Sequence, residues 1–549
     1  LHTSLSVAAM VDFSEKTPPA PDLADPPAET VLSKLKRLVF GDNKTKKRNS
    51  KVYQYSCCYI ILSAVFVFST VGCIVMWCTD LYLDSILNQM TLKEDTELFE
   101  AWKRPPVKPL ICVHIFNYTN MDTYKKGGNS KIQVKETGPY CYRETLEKTN
   151  IKFYPNGTVS YGDRRTHVFE ERNSSGSMDD TLIVPNLPLI SAIALAQDSP
   201  SLIQMALGAT LRGFDSTTMI KLPAHEFLFG YNDRFISFIQ GIIKFLDKDL
   251  PFEKFGILAM RAAETKERIT VRTGSEDLNS IGVVTALNGQ ERLTAWDDDE
   301  CNRVDGSDGM FFPRHEINRS AKLYLFHKDL CRRLPLIFED EVDFQDGVMG
   351  MRFHPPHNVY NTTGSCYCKN GACPPVGVFD VSPCAMGAPI MMSFPHFLNA
   401  EPSVTAHLEG IHPNASRHDF FIDIQPVLGF TLGTVSRIQL NVQIRKSQRI
   451  SLLDEFDDGT ILPVVWFEIT ADRLPPDLFK MIYHASVTVP LIQVVLKWGM
   501  LLACTSSGCG VLLYWPRRRP TNPPQVTTAT LLVVSPPPTE IIILRLSSV

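Results

Sequence analysis

The chain has 549 residues, with 44% hydrophobic and 21% charged residues and a formal net charge of −4. A mean hydropathy of −0.04 excludes a polytopic membrane protein, and the apolar and aromatic content excludes a mostly disordered chain. The balance of 55 basic and 59 acidic residues argues against a dedicated nucleic-acid binder. The charge is unevenly spread. Residues 34–51 carry eight basic side chains against Asp42 alone, a local charge of +7.

In chain order, residues 1–56 form a tail, Pro-, Ala- and acid-rich over 11–30 and basic toward its end. Residues 57–78, CCYIILSAVFVFSTVGCIVMWC, hold no charge. As a helix they cover about 33 Å, enough for a hydrocarbon core of about 30 Å. A buried core helix or a cleaved signal peptide are the alternatives; the first apolar segment lies far from the start for the second. Cys57 and Cys58 at its edge are candidates for S-palmitoylation or ordinary small span residues.

A second span is expected over 497–515, where Trp498 and Trp515 bracket WGMLLACTSSGCGVLLYW and Arg517, Arg518 and Arg519 follow. The apolar run 487–496 predicts a helix that continues beyond the bilayer. Basic flanks sit before the first span and after the second, so the positive-inside rule puts both termini in the cytosol. Residues 79–496 then form one extracytosolic domain, and 516–549 a cytosolic tail with Leu531-Leu532 as a weak sorting signal or an aberrant end.

Six glycosylation sequons fall inside 79–496, at Asn117, Asn156, Asn173, Asn318, Asn361 and Asn414, while the one at Asn43 falls on the cytosolic side. Eight cysteines share that domain: Cys112, Cys141, Cys301, Cys331, Cys366, Cys368, Cys373 and Cys384. Zinc spacing is lacking, and an oxidising compartment points to disulfides whose pairing spacing leaves open. Within the domain, residues 110–200 show short β-type runs broken by turns. A helical patch covers 186–260 with apolar residues at helical spacing, and β-type alternation resumes past Thr270. It is strongest over 420–444 and 461–470.

Sequence signatures of enzymes are lacking: no G-x-S-x-G, no H-E-x-x-H, no Walker loop and no dinucleotide fingerprint occurs. The acidic run Asp297 to Glu300, with Asp305 and Asp308, misses the EF-hand register and reads as a solvated turn. Thirteen His residues show no spacing pattern, so no metal and no cofactor is expected. Two physical classes remain. One is a receptor or lipid carrier with a glycosylated ectodomain. The other is a two-span trimeric channel, with Thr505-Ser506-Ser507-Gly508, Ser63, Ser69 and Thr70 as the span's polar residues.

Six stretches together resemble the class B scavenger receptor family, which includes fatty acid translocase, the lysosomal integral membrane protein of that fold and insect sensory neuron membrane proteins. They are QVKETGPYCYRE (133–144), EFLFGYND (226–233), the W-x4-C-x3-DGSDG-x2-FP block (296–313), GVFDVSPC (377–384), SFPHFLNAEPSV (393–404) and IDIQPVLGFTLGTVSRIQLNV (422–442).

The resemblance implies an α+β fold: an irregular antiparallel β-barrel with an apical helical bundle, anchored by two transmembrane helices. It implies the pairs Cys301–Cys366, Cys331–Cys384 and Cys368–Cys373. Cys112 and Cys141 depart from the common pattern and are expected to form an additional cross-strand disulfide. By analogy the protein is a receptor, not an enzyme. Its ligands are fatty acids, phospholipids, sterols or lipoproteins, or a protein at the apex, and a tunnel passes lipid toward the bilayer. The expected location is the plasma membrane, with the endosome or lysosome membrane as alternative. The ligand-contacting lysine of fatty acid translocase falls near Gly213, making Arg212 and Lys221 candidate cations, or plain solvated charges. Phe227 and Phe229 are candidates for a lipid path or for core packing.

Overall fold

The computed structural model describes residues 43–79, 90–126, 131–245, 254–259, 261, 264–368, 373–471 and 474–514. Of the expected tails, residues 1–42 of the first (1–56) and all of the second (516–549, with the dileucine) lie outside these, and residues 43–56 belong to the helix that continues into the first span. The described chain divides into two units: the helical residues up to Thr79 with those from Leu496, and a large unit between them.

Sixteen strands occur among the described residues, all in the large unit. They are β1 (Leu110–Tyr118), β2 (Ile132–Tyr154), β3 (Thr158–Phe169), β4 (Thr181–Pro185), β5 (Met219–Pro223), β6 (Ile269–Arg272), β7 (Val284–Leu287) and β8 (Lys322–His327). The second half holds β9 (Arg332–Gln345), β10 (Val348–His354), β11 (Val378–Asp380), β12 (Ile390–Ser393), β13 (Leu408–Glu409), β14 (Phe421–Gln425), β15 (Phe430–Gln443) and β16 (Ile461–Ala471). The helices are α1 (Asn43–Cys78), α2 (Glu97–Lys103), α3 (Met121–Lys125), α4 (Leu187–Ala196), α5 (Ser201–Gly213), α6 (Ala224–Phe229), α7 (Arg234–Phe245), α8 (Pro402–Thr405), α9 (Ala415–His418), α10 (Pro476–Tyr483) and α11 (Val489–Tyr514).

Fourteen strands join one sheet in the order β7-β6-β3-β2-β1-β16-β15-β14-β10-β9-β8, with β11, β12 and β13 attached beside it. Neighbours along this path are antiparallel, which suits a chain whose strands follow one another through short turns. The 420–444 run becomes β14, a turn through Pro426 to Gly429, and β15. Central strands β1 and β16 are buried along most of their length, so they carry near-continuous apolar runs. The main core, with Ile111, Val113, Phe116, Tyr118, Val464 and Trp466, lies against them and extends to Leu189, Ile190, Ile193 and Phe227 of the helical segment.

The two ends of the sheet meet through the DGSDG block. Ser307, fully buried, bridges antiparallel to Val283 beside β7 and parallel to Leu325 of β8. The amide of Val284 donates to the Gly306 carbonyl at 2.8 Å, and that of Ser307 to the Tyr324 carbonyl at 2.8 Å. Gly306 has φ +110°, and a Cβ there would stand 2.9 Å from the Tyr324 carbonyl oxygen, so backbone pairing at the seam requires glycine. These single-residue bridges nearly close the sheet and cover part of the edges that an open sheet would carry.

The helical patch expected over 186–260 becomes α4, α5, α6 and α7, with β5 inserted between α5 and α6. Asn186 caps α4 by accepting from the Leu189 amide at 3.2 Å, and the Pro at position 188 suits its first turn. β4 and β5 form a separate two-stranded ribbon flanking these helices.

In the helical unit, residues 57–78 lie within α1 and are long and apolar enough to cross a membrane. The second such helix runs from Pro476 through a π-turn at His484–Thr488 to Tyr514, so it starts well upstream of Lys497. Its first part, up to Val495, belongs to the large unit, where Ile482 and Ala485 are buried against Val348, Leu428 and Leu432. The two spans touch through small residues. A Cβ at Gly72 would meet the Met500 sulfur at 3.0 Å, Gly508 faces Phe66, and Trp77 meets Trp498 edge-on at 5.8 Å.

Candidate functional site

The expected ligand-contacting residues fall on the helical segment. Arg212 lies in the last turn of α5, and Lys221 on β5 opposite Ile183; both are exposed and neither makes an ion pair among the described residues. Phe227 is fully buried in the main core. Phe229 is half-buried, edge-on to Tyr142 with ring centres 5.1 Å apart. What the sequence did not single out is a set of exposed apolar side chains on α4 and α5. Leu195 of α4 and Leu202, Ile203 and Met205 of α5 are 55%, 77%, 53% and 55% exposed. Phe238 of α7 adds a partly exposed ring, 5.4 Å from Phe214. Isolated exposed apolar residues are ordinary; these four fall on two consecutive helices.

A second arrangement lies on the barrel, where three of the motif stretches converge. Glu136 of β2 sits between two imidazoles: His114 Nδ1 of β1 is 2.7 Å from Oε1, and His396 Nε2 is 2.8 Å from Oε2. Arg417 approaches Oε1 at 3.8 Å. His396 Nδ1 accepts from the His412 amide at 3.0 Å, which leaves its Nε2–H to donate to Glu136. The ring is held in place by its own backbone. Its amide donates to Gln439 Oε1, whose Nε2 donates to Asn441 Oδ1, whose Nδ2 in turn donates to Ser393 Oγ at 3.0 Å. His396 also takes φ +53°, uncommon for a non-glycine residue.

Aromatic stacking completes the cluster. His114 lies flat on Trp466 of β16 with centres 3.7 Å apart, and His396 stacks on His418 at 4.7 Å. His418 is 1% exposed; its Nδ1 accepts from the Asn414 amide, while its Nε2 and Trp466 Nε1 have no hydrogen-bond partner among the described residues. Burial raises the pKa of Glu136, but hydrogen bonds from His114 and His396 outweigh this and hold it well below the usual carboxylate range. Burial, then the neighbouring His396 and Arg417, push His418 down to about 4. Two clefts of about 380 and 370 Å³ open beside the cluster and share Arg417 as a common wall. The cluster can hold an ionised carboxylate within the barrel wall and change its charge balance with pH.

Four disulfides are present. Cys112 and Cys141 are directly opposite across β1 and β2, and the other pairs are Cys301–Cys366, Cys331–Cys384 and Cys368–Cys373. The six remaining cysteines, Cys57 and Cys58 among them, are unpaired. Of the sequon residues, Asn156, Asn173, Asn318, Asn361 and Asn414 are exposed. Asn117 is half-buried within β1, and its Oδ1 accepts from the Ile183 amide at 2.9 Å.

The acidic run is an exposed turn in which Asp298 Oδ1 accepts from the Glu300 amide. Asp305 pairs with Arg333 at 3.1 Å, and Asp308 accepts from Met310 within the seam. In the spans, the hydroxyls fold back on helix carbonyls: Ser69 and Thr70 to Phe66, Thr505 to Leu501, and Ser507 to Ala503. In this way each hydroxyl's donor is satisfied within its own helix.

A nearly closed antiparallel barrel with an inserted helical segment, flanked in sequence by two membrane-length helices, defines a two-span membrane receptor class. The chain belongs to the CD36 family, whose signature it matches over residues 61–515. It is 30% identical over 441 residues to scavenger receptor class B member 1 of Sus scrofa, covering 79% of this chain and 84% of that one. It is 30% identical to lysosome membrane protein 2 of Mus musculus and 31% identical to that of Homo sapiens. Each match runs over 446 residues, covering 77% of this chain and 89% of the relative.

Proposed function

We propose that the protein is a scavenger-type receptor that binds lipids or lipid-bearing particles and facilitates their uptake or transfer through the ectodomain. Its ligands are fatty acids, phospholipids, sterols or lipoproteins, and it acts at the plasma membrane with both termini cytosolic. The observation that carries the reading is the exposed apolar surface of α4 and α5. Covering apolar surface contributes about 25 cal/mol per Å². Four such side chains therefore provide a favourable seat for acyl chains or a lipoprotein coat. Arg212 at the end of α5 supplies a cation for a carboxylate or phosphate. Binding of lipoprotein or anionic liposomes to the full chain is expected to fall at least tenfold in Leu202→Glu/Ile203→Glu. Both side chains are mostly exposed, so folding should be spared. Unchanged binding would refute the assignment.

A second reading is an endolysosomal membrane protein of the same fold, acting in protein sorting or lipid export. The comparable identity to lysosome membrane protein 2 supports it.

A further inference from the structure

The end of β10 and the residue after α9 bring two imidazoles and a carboxylate together, with Asp419 directly following His418 of the Glu136 cluster. His354 is the last residue of β10, His357 follows in the sequence His-Pro-Pro-His, and Asp419 directly follows α9. One ligand atom from each lies within 4.8 Å of the other two. We propose that these three residues form a binding site for a divalent transition metal, with Zn²⁺ the best-matched ion.

The chemistry of the donors selects the ion. Two imidazoles and one carboxylate suit Zn²⁺ and its neighbours, whereas Ca²⁺ and Mg²⁺ take sets of oxygen ligands. A tetrahedral Zn²⁺ with bonds of about 2.0–2.1 Å sets its ligands about 3.4 Å apart, so no pair has to close by more than about 1.4 Å. His357 is exposed, and its one side-chain hydrogen-bond partner among the described residues is Asn399 Nδ2, at a long 3.5 Å from Nδ1. Elsewhere the site is pre-organised. Proline rings fix φ at positions 355 and 356 between the imidazoles. His354 Nδ1 is 2.9 Å from the Pro355 carbonyl. Nδ1 therefore carries the proton and Nε2 keeps its lone pair, the outer-shell arrangement typical of metal-bound His. Asp419 is anchored by its backbone: its carbonyl accepts from Arg437 at 2.7 Å and its amide donates to Ala415 at 3.0 Å. Its carboxylate makes no ion pair with a basic side chain among the described residues, and its Oδ1 accepts only from the Phe420 amide. Three protein ligands and an exposed His357 leave a fourth position open to water or an exogenous group. A bound ion would tie β10 to α9, the short helix that carries Arg417 and His418 beside Glu136.

The test is titration of the untagged full chain in detergent with Co²⁺, followed by displacement with Zn²⁺. The expected result is one Co²⁺ per chain with tetrahedral d–d absorption, reversed by Zn²⁺, and a raised thermal midpoint on Zn²⁺ addition. His357→Ala and Asp419→Asn should each weaken binding at least tenfold and abolish the thermal shift, while the exposed control His315→Ala should do neither. No saturable binding to the wild-type chain would overturn the proposal. Binding that both His357→Ala and Asp419→Asn leave unchanged would overturn it as well.

Discussion

His418 is where a single residue sets a property of the whole protein. Its folded pKa of about 4 lies below its ordinary 6.5 because burial comes first and His396, Arg417 and Arg437 add positive charge, with Glu136 opposing. A group whose folded pKa is depressed contributes stability that is full above its unfolded pKa and lost as pH falls toward the folded value. The window is therefore about pH 6.5 down to about 4. At pH 5 the loss amounts to about 2 kcal/mol by the usual 1.36 kcal/mol per pKa unit. Glu136, held below the carboxylate range, keeps its full contribution down to about its ordinary pKa of 4.5 and begins to lose it only at the acid end of that window. His418→Gln retains an acceptor for the Asn414 amide and removes the titration. The drop in thermal midpoint between pH 7.5 and pH 5 should be smaller in this variant than in the wild type. An equal drop in both would place the acid sensitivity elsewhere, for instance at His407, whose pKa burial also lowers.

Among the elements, β1 and β2 join covalently where Cys112 and Cys141 face each other in register. The sequence predicted this pair from two adjacent β-type runs, because a residue's cross-strand partner is fixed once register is fixed. The pairing is testable with the glycosylation and topology readings in one experiment, non-reducing peptide mapping of the full chain. The expected map holds four disulfide-linked pairs and glycans at the exposed Asn156, Asn173, Asn318, Asn361 and Asn414, with Asn43 bare. Asn117 should be modified least, because its side chain is engaged within β1. Recovery of Cys112 or Cys141 as a free thiol would contradict the pairing, and a glycan at Asn43 would contradict cytosolic termini.

For the molecule as a whole, the spans, the helical insertion and the main strands were legible because each rests on local periodicity or composition. Residues 57–78 and 461–470 needed no distant partner to be recognised. The closure of the barrel at Ser307 was not legible, since two single-residue bridges leave no periodic trace. The Glu136 cluster was hidden for a related reason. His396 lies 260 residues from Glu136 in sequence, and no spacing rule links them. Both lay inside stretches that carried the family resemblance, which marked the segments without saying what their side chains do. The exposed apolar residues of α5 were missed because their helical spacing reads equally as a buried face; only the fold shows which side of the helix is covered.

The central claim is that the helical surface receives lipid. A photoactivatable fatty acid crosslinked to the full chain in nanodiscs, with peptides then mapped, tests this most directly. The expected result is labelling of peptides that contain Leu195 and Leu202 to Met205, abolished by excess unlabelled fatty acid. Labelling confined to the membrane helices, or insensitive to competitor, would contradict it.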